Sequence, residues 1–145
     1  MAKFIYKFES IQKVKGALEK KAQKEVSVID LEIDIKKNEY KKIINEENES
    51  HNKFKKKAVS VGELKFIKGY ELCLKKKRAE ILKDINELNT KREIKMKELV
   101  QKTKEHKIFN KLEEKYSEVF QQVQNKLELG LIDELATQKF VRRDK

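Results

Sequence analysis

With 145 residues, of which 42% are charged, 38% hydrophobic and 8% aromatic, the chain has too little apolar material for a broad globular core and enough for a narrow seam. Proline is absent and glycine occurs only at Gly16, Gly62, Gly69 and Gly130, so almost nothing interrupts a helix, while regularly spaced large apolar residues exclude a disordered chain. The lone Cys73 excludes an intrachain disulfide and a multi-cysteine metal site.

The first segment, Met1 to Glu9, has Lys3 and Lys7 interrupting Phe4, Ile5 and Phe8. It therefore reads as neither a secretory leader nor a membrane span, and the expected location is cytoplasmic. From Phe4 onward, apolar residues recur at steps of three and four through Phe8, Ile11, Leu18, Ala22, Val26, Ile29, Ile33, Tyr40, Ile43 and Phe54. Lys15 and Lys36 fall on this stripe, where their aliphatic stems can lie along it. The step from Leu18 through Ala22 to Val26 is four plus four, which predicts a stutter. Helix one is expected over about 4–57.

A turn is predicted at 58–62, because lysines crowd the preceding stretch and Ser60 with Glu63 matches a capping box. Helix two is expected over about 61–129. Its heptad series runs Ile67, Leu74, Ile81, Leu88, Lys95, Lys102, Phe109, Tyr116 and Val123. The companion series is more polar: Leu64, Glu71, Arg78, Ile85, Arg92, Leu99, His106, Glu113, Phe120 and Leu127. Gly130 suggests a break before a short terminal helix at 131–141, entered near Asp133. The predicted fold class is all-α, a long two-helix antiparallel coiled-coil hairpin with a short C-terminal helix, forming one domain. A pivot near Val59 sets residue 4 beside about residue 114, leaving the C-terminal arm overhanging. The structural rival is one uninterrupted helix in a parallel dimer.

No catalytic, cofactor-binding or metal-binding constellation stands out. His51 and His106 lack metal-ligand spacing, the acidic pairs Glu46-Glu47 and Glu113-Glu114 read as solvated helix faces, and Cys73 reads as a small apolar filler. No phosphate-cradling glycine loop occurs and no enzyme is expected. The net charge of +11 raises nucleic acid or an anionic surface as a partner, but residues 1–60 carry +5 and residues 61–145 carry +6, which reads as an even spread, and the clusters at Lys55 to Lys57 and Lys75 to Arg78 that flank the turn have no aromatic residues interleaved for base stacking. Tyr40, Phe54, Phe66 and Tyr70 gather near the turn and Phe4, Tyr6 and Phe8 mark the other end, so both ends are candidate contact surfaces.

The layout resembles the FliJ family of bacterial flagellar export proteins. The likeness is carried by the opening Phe4-Ile5-Tyr6-Lys7-Phe8-Glu9-Ser10-Ile11-Gln12-Lys13-Val14 and by the segment from Val59 to Leu64 leading into Tyr70-Glu71-Leu72. It continues in Phe109-Asn110-Lys111-Leu112-Glu113-Glu114-Lys115-Tyr116 and in Ile132-Asp133-Glu134-Leu135-Ala136. The resemblance implies a non-enzymatic component of the type III export apparatus, at the inner face of the cell membrane. It also implies binding to the export ATPase FliI through Phe4, Phe8, Ile132, Asp133 and Glu134, and to the export gate protein FlhA through Tyr40, Ile44, Tyr70 and Leu74. Export chaperones are further partners that it implies, with no cofactor and no nucleic acid. Two other classes stand beside it: a basic coiled coil that binds nucleic acid or an anionic surface, and a chaperone-like helical hairpin.

Overall fold

A computed structural model describes residues 2–55 and 60–143. Two long helices account for nearly all of them, α1 over Glu9–Lys55 and α2 over Val61–Arg143, and no strand forms among the described residues.

Helix α1 begins at Glu9, five residues later than the sequence periodicity implies. The reason lies in three aromatic side chains. In a helix starting at residue 4, Tyr6 would lie about 200° around the axis from Phe4, so the three rings could not share a face. Residues 2–6 instead leave the helix, with a turn at Lys7 and Phe8 where the Glu9 N–H donates to the Tyr6 carbonyl at 3.3 Å. Tyr6 is thereby buried, and the first helical turn opens on the acidic Glu9, favourable at a helix N-terminus.

At the start of α2, the Ser60 hydroxyl accepts from the Glu63 N–H at 3.3 Å and the Ser60 carbonyl from the Leu64 N–H at 3.0 Å, so Ser60 caps the helix as its spacing implied. The rest of the expected turn, Ala58 and Val59, lies outside the described residues. Helix α2 then runs unbroken to Arg143. The separate terminal helix expected over 131–141 does not form, because Gly130 keeps helical torsions with no positive φ and a lone glycine costs only about 1 kcal/mol without a proline to stop the helix.

The seam is more regular than its apolar residues suggest. Along α1 the stripe sheltered from solvent runs Gln12, Lys15, Glu19, Ala22, Val26, Ile29, Ile33, Lys36, Tyr40, Ile43, Glu47, Ser50 and Phe54, alternating steps of three and four without a fault. The predicted stutter disappears because Glu19 leads into Ala22, while Ile11 remains 43% exposed and Gln12 takes the inward position. In α2 both heptad series are sheltered from Leu64 to Glu113, polar members included.

The chain divides into two compact units, residues 20–100 and residues 1–19 with 101–145. In the first, Ala22, Val26, Ile29 and Ile33 of α1 and Leu74 and Ile81 of α2 are buried. The helices run antiparallel, since Glu25 pairs with Lys95 (3.3 Å), Asp30 with Arg92, Lys36 with Asp84 (3.5 Å) and Glu47 with Arg78 (2.8 Å). Each pair is partly solvated and contributes at most about 1 kcal/mol, so the ladder fixes register more than it adds stability. In the second unit the order is also antiparallel, with Lys15 on Glu105 (3.0 Å) and Gln12 donating to Asn110 (2.7 Å) and Glu113 (2.6 Å).

Candidate binding surfaces

The unit formed by residues 1–19 and 101–145 is closed at its N-terminal segment by an aromatic cluster. Phe4 packs on Phe120 with ring centroids 5.5 Å apart, Phe8 on Phe109 and Tyr116 at 6.2 Å each, and Tyr6 on Tyr116 at 6.2 Å. The Tyr6 hydroxyl donates to the Phe109 carbonyl at 2.7 Å, so the buried phenol keeps a partner. Burial, with the Glu113 carboxylate and Tyr116 beside it, raises its pKa above the ordinary tyrosine range. Helical spacing concealed this residue, because Tyr6 is off the stripe and becomes inward only once the chain leaves the helix.

Beyond Phe120, α2 is exposed at nearly every position. Its apolar residues still recur regularly: Val123, Leu127, Leu131 and Leu135 lie four apart and are 49–60% exposed, continuing from Tyr116 and Val119. A helix in water does not maintain such a stripe for its own folding, so this face is a candidate docking surface. Its sequence signal was the persistence of the heptad series to Val123 and Leu127, past the residues that α1 can cover. Of the expected ATPase-binding residues, Phe4 and Phe8 are half-buried in the aromatic cluster, whereas Ile132, Asp133 and Glu134 are exposed on the arm. Ile132 lies about 18 Å along the helix from Phe120, so the five residues do not form one patch.

In the unit of residues 20–100, the four residues expected to meet the gate protein also separate. Leu74 is 2% exposed and packs in the seam, which removes it from any contact surface. Its place in the Ile67, Leu74, Ile81 heptad series had announced this. Tyr40 and Ile44 are half-buried at the seam's edge, and Tyr70 is 42% exposed. Cys73, expected as filler, is exposed. It follows Leu72 and precedes Leu74, and only one of three consecutive helical residues can face a narrow seam.

His106 is the one histidine built into the packing. Its Nδ1 lies 2.6 Å from Glu19 Oε2, while the Thr103 hydroxyl donates to Glu19 Oε1 at 3.3 Å. Among the described residues no group of three or more His, Cys, Asp or Glu side chains converges as a metal site, and no helix is long and apolar enough to cross a membrane.

This geometry defines a class: a two-helix coiled-coil protein with apolar helix faces left exposed beyond the seam. A protein-family model described as Flagellar FliJ protein matches residues 4–145, essentially the whole chain. The chain belongs to the FliJ family and is a component of the flagellar protein-export apparatus. No curated protein and no solved structure matches it.

Proposed function

We propose that the chain binds the hexameric export ATPase FliI through its C-terminal arm and the export gate protein FlhA through the surface around Tyr70, so that ATP hydrolysis is coupled to protein export at the inner face of the cell membrane. The observation that carries this reading is the exposed apolar stripe Val123, Leu127, Leu131 and Leu135, a helix face built for a partner that this chain does not supply. Glu134 falls within that stripe and Ile132 at its border, Asp133 on the same arm lies toward the opposite side, and Phe4 and Phe8 act from behind it by fixing the N-terminal segment on α2. The gate contact rests on Tyr70, with Tyr40 and Ile44 beside the seam. Export chaperones are further candidates for the apolar arm.

Titrating the purified chain into its cognate ATPase tests the first contact: hydrolysis rises, and Val123→Asp with Leu127→Asp abolishes the rise without loss of helicity. Unchanged hydrolysis and no complex would overturn the assignment. For the second contact, Tyr70→Ala weakens capture of the gate protein's cytoplasmic part and leaves ATPase stimulation intact.

A further inference from the structure

Residues 53–78 hold ten Lys or Arg against two acids, a net +8 out of the chain's +11. The two halves of the chain divide within this stretch, so each carries a similar excess although the charge is concentrated in one place. Among the described residues, Lys65, Lys68, Lys75, Lys76, Lys77 and Arg78 stand on the first five turns of α2. Arg78 is turned inward on Glu47, and Lys68 and Lys75 line a groove of about 410 Å³ with Glu47, His51 and Glu71. Lys65, Lys76 and Lys77 are exposed.

Two of these lysines share their side of the helix with large apolar groups. At about 100° per residue, Val61, Lys65, Phe66, Leu72 and Lys76 fall on the arc opposite the seam residues Leu64, Ile67, Leu74 and Ile81, with the exposed Glu80 the one acid on it and Lys77 at its edge toward Ile81. Val61 is 72% exposed, Phe66 76% and Leu72 60%. Gly62 and Gly69 lie on the same arc, and a Cβ at either would meet nothing within 4 Å. Among the described residues nothing packs against Val61, Phe66 or Leu72 enough to shelter them.

The geometry points to the outward arc at the start of α2 as an interfacial binding site for a bilayer containing anionic lipid. The chemistry of each side chain fits that occupant. Lysine ammonium groups on flexible stems reach phosphate headgroups, while Phe66, Leu72 and Val61 enter the boundary between headgroup and acyl chain. A nucleic-acid backbone would satisfy the lysines but leave the two aliphatic side chains in water, since only Phe66 on this arc could stack on a base. The arc spans Val61 to Lys76 in the unit of residues 20–100 and shares no residue with the proposed ATPase contact at Val123 to Leu135, so it adds a membrane attachment of the chain's own.

The test is flotation of the full chain with vesicles of phosphatidylcholine alone and of phosphatidylcholine with about 30% phosphatidylglycerol. Binding appears only with the anionic vesicles and weakens steeply between about 0.1 M and 0.5 M salt. Lys65→Glu with Lys76→Glu lowers the partition coefficient by about tenfold or more, as does Phe66→Ser with Leu72→Ser at unchanged charge. All four positions are exposed, so circular dichroism should register unchanged helicity. A Phe66→Trp variant reports insertion directly, through a blue shift of its emission on anionic vesicles. Equal flotation with both vesicle types, absence of flotation with the anionic ones, or no blue shift overturns the site. Tighter binding to an oligonucleotide than to anionic vesicles, indifferent to Phe66→Ser with Leu72→Ser, overturns it in favour of nucleic acid. Loss of vesicle binding in these variants with intact ATPase stimulation and intact capture of the gate protein's cytoplasmic part separates this site from the proposed coupling role.

Discussion

The His106 Nε2 atom lies 3.1 Å from where a Cβ would stand on Gly16, so a glycine inside α1 makes room for a histidine on α2. Glycine in a helix interior costs about 0.5–1 kcal/mol relative to alanine, and here that cost admits a side chain whose other nitrogen is held by Glu19 at 2.6 Å. Gly16→Ala should therefore fail to deliver the usual helix gain in the native background. In a His106→Ala background the same substitution should stabilise by about 0.5–1 kcal/mol. Urea denaturation of the four proteins measures the difference as a coupling energy, and additive effects would show that the two residues do not share the space.

Leu74 and Tyr70 stand one helical turn apart with opposite fates. Leu74→Ala removes a side chain that is 2% exposed and should destabilise by about 2–4 kcal/mol, visible as lost cooperativity in thermal unfolding. Tyr70→Ala should change stability by no more than about 0.5 kcal/mol, because Tyr70 is 42% exposed.

Lys95 and Lys102 occupy positions where the heptad series has apolar residues at Leu74, Ile81 and Leu88. Replacing both by leucine should raise the thermal midpoint, since the seam gains apolar contact and loses partly solvated ion pairs. Register should become less sharply defined, because the Lys95 pair with Glu25 is one of the rungs that sets it. Cysteine pairs placed across the seam in the native and in a slipped register would measure that loss by their relative rates of disulfide formation.

Stability should fall at both ends of the pH range. The Glu105 pKa is lowered by hydrogen bonds from Lys15 and Gln101, so its contribution is present above the ordinary glutamate range and is lost as pH falls through the depressed value. The Tyr6 pKa is raised by burial, then by Glu113 and Tyr116, and that of Lys95 by its hydrogen bond and charge pairing with Glu25. Both contributions are full below the unfolded values and are lost as pH rises through the raised ones, in the alkaline range above about pH 10. Denaturant midpoints across pH should show both limbs. Lys15→Met should flatten the acid limb and Tyr6→Phe part of the alkaline one.

Much of the fold is legible in the residue order. The heptad series from Ile67 to Phe109 places the α2 seam correctly, its last members Tyr116 and Val123 being exposed, and Ser60 with Glu63 marks the helix start, because periodicity and capping are local properties. Polar members of the α1 stripe are not legible in the same way. Nothing local says that Glu19 is sheltered beside Leu18, since that depends on His106 and Thr103 facing it from α2. The end of the helix was misplaced for a related reason: Gly130 reads as a stop, but a weak breaker in a long strong helix former does not stop it.

The candidate surfaces divide along the same line. Sequence alone determined that the chain is two long helices with a narrow seam, and that apolar residues persist beyond the reach of α1, because composition and spacing are enough for both. Tertiary structure alone decided which side chains face water. It buried Tyr6, left Cys73 outside, and set lysines of the basic cluster, itself legible in the residue order, beside exposed Leu72 on one face. Those outcomes depend on the direction in which each residue leaves its helix once the partner helix is in place, and spacing along one helix cannot supply the partner.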